Sequence, residues 1–132
     1  MKLIDILQGR DALTRLTDTH FKSYKLIRQL ATLKKRADEE FAFYTEQEKR
    51  IVTEYAAKDE KGQIVFLDGG RVKLRDAEAK TAFDSEIDKL NNTEIDDIPM
   101  VSIRDTDFVS EKDFPTATEM TLLVGLVDFR EE

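Results

Sequence analysis

Carboxylates are the groups in this chain whose type and spacing come nearest to chemistry. Asp96 and Asp97 are adjacent, and Asp105 and Asp107 stand two apart. Oxygen ligands so placed could hold Mg²⁺ or Ca²⁺. With 28 acidic residues among 132, though, close pairs arise by chance. The glycine-bearing stretch "KDEKGQIVFLD" lacks the alternating ligands of a calcium loop. Acid–base work by paired carboxyls would also need a cleft to perturb them, and no pattern predicts one.

Other chemistry finds less support. His20 is the only histidine and stands where a helix would start, a place for a cap or a surface residue. There is no cysteine, hence no disulfide framework, thiolate metal site or thiol nucleophile. No serine sits in a glycine elbow, and neither a phosphate-binding loop nor a dinucleotide fingerprint is present. The expectation is a non-enzymatic protein with no catalytic, metal or cofactor site.

Charge separates the two ends. Residues 1–83 carry 17 basic and 14 acidic side chains, whereas residues 84–132 carry 4 and 14, a balance of +3 against −10. Such an acidic segment repels nucleic acid within a Debye length of about 8–10 Å, so general nucleic-acid binding is not expected. It is either a solvated face or a surface for a basic partner. No leading apolar run resembles a secretory signal, and "MTLLVGLV" (Met120–Val127) is far short of the ~20 residues that span a bilayer. These features predict a cytoplasmic protein with no membrane segment.

The elements that would position these groups follow from periodicity. The length suits one domain, and a composition 37% charged and 40% apolar suits an elongated one better than a compact enzyme. Residues 5–16 form a short helix with a break near Gly9, and Asp18 or Thr19 can cap the next. From His20 to about Ala57 there is neither Gly nor Pro. Leu30, Ala37, Tyr44 and Ile51 recur every seven residues, which predicts one long amphipathic helix over about 20–57. "QIVFLDGGRVKLRD" alternates, turns at Gly69-Gly70 and alternates again, as an antiparallel hairpin over about 63–75 would. Asp76 caps a helix over about 76–91, an extended segment over about 95–104 could add a third strand, and Thr116-x-x-Glu119 opens a terminal helix over about 116–129. The fold class is α+β: one long helix, a small antiparallel ribbon and short flanking helices.

The phrases Glu54-Tyr55, Lys58-Asp59-Glu60-Lys61-Gly62, then Phe83, Glu86, Leu90 and Glu94, then Asp97-Ile98-Pro99 carry a resemblance. Their order is similar to that in a family of small tailed-phage and prophage proteins of unknown function. The resemblance implies a phage or prophage origin and a bacterial host cell; it brings no activity and no functional residues.

Apolar residues without an obvious duty point to association. "MTLLVGLVDF" shows apolar side chains on nearly all sides, and burial is worth about 25 cal/mol per Å². A homo-oligomer, or a contact with a host or phage protein, is therefore expected, with Tyr44, Ile51, Tyr55, Leu123 and Leu126 as participants. The alternative is an acidic inhibitor in which Asp96, Asp97, Asp105, Asp107, Glu111 and Asp113 replace the phosphates of a nucleic acid on a host protein. A virion assembly factor is a third possibility.

Overall fold

In the computed structural model, which describes residues 1–131, the chain runs α1 (Leu3–Thr17), α2 (Tyr24–Tyr55), α3 (Ala77–Asn91), β1 (Val101–Arg104), α4 (Ala117–Leu122) and β2 (Val127–Arg130), with single 3₁₀ turns at Asp105–Asp107 and Glu111–Asp113. It divides into two compact units. One comprises Met1–Phe41 and the stretch from Glu94 onward; the other is Ala42–Thr93. The mixed helix–strand class is as expected, but the placement of the strands is not.

The first unit is built around leucines. Leu3, Ile6, Leu13 and Leu16 recur at helical spacing along α1 and are fully buried. Leu26, Leu30, Leu33 and Ala37 recur likewise along α2 and are buried. Gly9 does not break α1. A Cβ there would lie 2.6 Å from the carbonyl oxygen of Leu122, so the glycine is what lets α1 lie against α4. The start of α2 is also set differently: Asp18 closes α1, and the Ser23 hydroxyl accepts the Leu26 N–H at 3.3 Å.

The regular sheet is parallel, with Val101 opposite Val127 and Arg104 opposite Arg130. A parallel pair needs a crossover of a dozen or more residues; residues 105–126, including α4, supply it. The terminal helix expected over about 116–129 therefore stops early. Its Thr116–Glu119 capping box forms, but Gly125 adopts φ +87°, a left-handed geometry open to glycine, and diverts the chain into β2. Segment 95–104 contributes β1 to this sheet rather than a third strand to a hairpin.

In the second unit the expected antiparallel hairpin is not formed as a pair of strands. Residues 56–74 make isolated antiparallel bridges, Ala56 to Leu74, Lys58 to Ile64 and Phe66 to Val72. At their centre the Ala57 N–H donates to Lys73 O (2.8 Å), the Lys73 N–H to Val65 O (3.0 Å) and the Val65 N–H to Ala57 O (3.0 Å). Three segments thus satisfy one another in a ring. Because each backbone donates to one neighbour and accepts from the other, no two-stranded ladder propagates. Gly69 and Gly70 turn the chain with φ of +86° and +79°, and Asp76 caps α3 by accepting the Ala79 N–H at 2.7 Å.

Candidate interaction site

Two adjoining cavities, of about 530 and 380 Å³, form a trough in the first unit between α2 and the β1 segment, and both are bordered by Lys25 and Gln29. The first is lined by Tyr24, Arg28 and Thr32 from α2, facing Pro99, Met100 and Val101. The second continues past Ser23 and Leu26 toward Ser102, Arg104, Asp107 and Arg130.

Local sequence explains this geometry. Positions 24, 25, 28, 29 and 32 share one face of α2, whereas Leu26, Leu30 and Leu33 carry the buried face. Along β1 the burial alternates, with Val101 and Ile103 inward and Ser102 and Arg104 outward. Asp97 precedes it at φ +60°, and the proline at 99 keeps residue 98 extended. Ile95 and Ile98 pack against the core, which ties the segment down on either side of two exposed aspartates.

The trough is basic although the protein is acidic. Residues 19–37 contain six Lys or Arg and no Asp or Glu. Lys34 and Arg36 are paired with Asp38 and Glu40, but among the described residues Lys25 and Arg28 make no ion pair. Asp107 is the acid that lines the trough, and its carboxylate accepts the Arg104 N–H at 2.8 Å. Large apolar groups stand beside these charges: Tyr24 is 86% exposed and Met100 57%.

A separate cavity of about 320 Å³ lies among Phe108, Phe114, Pro115, Met120 and Phe129. Phe108 links the rings of Phe21 and Phe114, with centroids 5.0 and 5.1 Å away. Such tilted packing suits a structural aromatic cluster.

The residues expected to make contacts are scattered. Leu123 and Leu126 are 0% exposed and fill the core of the first unit; Ile51, 2% exposed, does so in the second. None of these three side chains faces outward. Tyr44 and Tyr55 are half-buried in the second unit. Burial pushes the Tyr44 hydroxyl above its ordinary pKa, and the negative charge of Glu48 adds to the effect. The Arg75 guanidinium lies 5.9 Å from the Tyr55 ring centroid.

Of the acidic residues, Asp96, Asp97, Asp105 and Glu111 are exposed. Asp107 is engaged as above, and the backbone carbonyl of Asp113 accepts from Arg15 at 3.2 Å. Among the described residues no three acids or histidines converge to hold a metal ion. His20 is an exposed residue between α1 and α2.

Arg15 also binds the Glu119 carboxylate. Burial pushes Glu119 upward, but the Arg15 bond and the Thr116 N–H outweigh it and hold the group below its ordinary pKa. At Asp38 the bond from Lys34 is the largest influence; with help from Arg10 it overcomes desolvation and lowers the pKa. Arg10 also covers the Phe41 ring at 4.0 Å. These groups stabilise the unit and leave the trough untouched.

The trough itself was not foreseen from the sequence. The signal for it was the acid-free run 19–37, which holds Tyr24, Lys25 and Arg28 at helical spacing. Ser102 and Met100 carried no such mark. Among the described residues no helix is long and apolar enough to cross a membrane. Comparison with protein-family models, with curated proteins and with solved structures yields no match for this chain.

Proposed function

We propose that this is a non-enzymatic interaction protein of phage or prophage origin, which binds another protein in the bacterial cytoplasm through the trough between α2 and β1. The observation that supports it is Tyr24, 86% exposed, beside Met100 and two cations, Lys25 and Arg28, that make no ion pair among the described residues. An aromatic ring, a methionine and a guanidinium on one open concave surface are the groups that anchor protein interfaces. The phage origin rests on the resemblance of residues 54–62 and 83–99, and the neighbouring genes test it. Self-association through Ile51, Leu123 and Leu126 is not proposed, because those side chains lie in the two cores.

A photoreactive phenylalanine analogue at position 24, irradiated in the host cell, tests the surface against the same analogue at the exposed position 39. A discrete protein adduct at 24 and none at 39 supports the proposal. No adduct at 24, or only a nucleic-acid adduct, rejects it.

Exposed Asp96, Asp97, Asp105 and Glu111 favour a second proposal, an acidic inhibitor that occupies a host protein's nucleic-acid site. Its binding would be steered electrostatically and fall steeply with salt. An adduct from position 96 whose formation in a host lysate is suppressed by high salt, with none from position 24, would replace the first proposal by this one.

A further inference from the structure

The trough contains an unpaired strand edge as well as cations. Val101 donates its N–H to Leu126 O at 3.1 Å, and Val101 and Ile103 face their β2 partners in a parallel register. In such a ladder the next residue points its backbone the other way. The N–H and C=O of Ser102 are therefore directed to the opposite edge of β1. The sheet has two strands, so among the described residues no third strand takes up that edge. The Arg104 N–H on the same edge is engaged by Asp107, which ends the free run there.

We infer that the trough is a strand-addition site: an extended, acidic segment of a partner protein pairs its backbone with Ser102 and sets its carboxylates on Lys25 and Arg28. This rests on the proposal that the trough binds protein. An exposed edge is a template for an incoming strand, and backbone pairing supplies affinity while alternate side chains supply specificity. The charge spacing fits. Lys25 and Arg28 are three apart on a helix, about 5–6 Å between Cβ atoms. Alternate residues of a strand rise by about 6.6 Å and share a face. Two acids separated by one residue can therefore meet both cations. Tyr24 and Met100 flank the same stretch and suit an apolar side chain.

A peptide fits better than a nucleic acid. Duplex DNA carries a negative charge every ~1.7 Å along its axis, and a polyanion running along β1 would meet the exposed Asp96, Asp97 and Asp105 at its two ends. A short acidic strand concentrates its charge on the two cations. Ser102 also presents a donor and an acceptor together, which a peptide backbone complements, whereas a phosphodiester can accept its N–H but has no donor for its C=O.

The test uses the full chain, labelled with ¹⁵N, and two synthetic libraries of nine-residue peptides. One has Glu fixed at alternate positions, the other Gln, with Val, Ile, Thr or Tyr elsewhere. The Glu library is expected to shift the Ser102 amide, slow its hydrogen exchange, and bind at least tenfold more tightly than the Gln library. Lys25→Glu with Arg28→Glu, both on the solvent face of α2, should lower that binding at least tenfold. Methylating alternate peptide nitrogens should abolish it. The inference is overturned if the Glu library does not bind at millimolar concentration or binds no better than Gln. It is equally overturned if Lys25 and Arg28 respond while Ser102 does not, or if an oligodeoxythymidine binds the trough more tightly. A protein adduct at position 24 with no change at Ser102 would retain the proposed function and remove strand addition.

Discussion

The two units bury very different amounts of large apolar side chain. All nine of the largest fully buried side chains, among them Leu3, Leu13, Leu33 and Ile103, belong to the first unit. The second buries Ile51 with Ala56, Ala79 and Leu90, and leaves Phe66 61% exposed. The first is held by apolar packing, and the second relies more on backbone pairing, helix caps and turns. Local openings concentrate where few apolar contacts oppose them, so the contrast is one of dynamics as well as stability. A docking surface on the well-packed unit is offered as a preformed surface, with less ordering cost on binding.

Mutations can break this contrast in order of size. Leu13→Ala removes a fully buried side chain from the first unit and should cost about 3–5 kcal/mol, seen as a large drop in the urea midpoint. Next is Gly9→Ala, whose methyl would press on the Leu122 carbonyl; overpacking of this kind costs about 1–3 kcal/mol. A stability equal to the parent's would show that α1 and α4 are not held as closely as described. In the second unit, Asp76→Ala deletes the cap of α3 and should cost about 1 kcal/mol, with faster amide exchange at Ala79 than in the parent.

Two pH effects are smaller and of opposite sign. Glu119 has a lowered pKa in the folded state, so its contribution is present above the ordinary value of 4.5 and is lost as pH falls through the folded one. The thermal midpoints of the parent and Glu119→Gln should therefore differ at pH 7 and converge in acid. Tyr44 has a raised pKa, so its contribution is complete below 10.0 and disappears as pH rises through the folded value. Tyr44→Phe should flatten the alkaline limb of the stability profile and leave the acid limb alone.

The helices were legible because each is marked locally. A heptad of apolar residues without Gly or Pro gives α2, Asp76 gives the start of α3, and Thr116 with Glu119 gives that of α4. The strands were not, for two reasons. Alternation over 63–75 reports a pleated backbone but not its partner, and here three segments share their hydrogen bonds where two would form a ladder. "VGLVDFR" reads as an apolar helix until Gly125 is taken as a left-handed stop that releases the chain into a strand. Gly9 misled in the opposite direction, since close approach of another backbone leaves no trace in its own neighbours. The acids visible as a cluster in the sequence are divided in the structure between solvent and local caps. The trough depends on bringing residues 24–32 beside 99–104, a pairing that no local pattern encodes.

The pairing of Val101–Arg104 with Val127–Arg130 has a consequence for synthesis. The second unit is one uninterrupted stretch, Ala42–Thr93, and can close as soon as that stretch has left the ribosome. The first is assembled from both sides of it, and its leucines have no finished shelter until the last strand is made. During that interval the nascent chain exposes its stickiest surface, so chaperone contact during translation should be greatest just before Val127 emerges and fall away once β2 has docked.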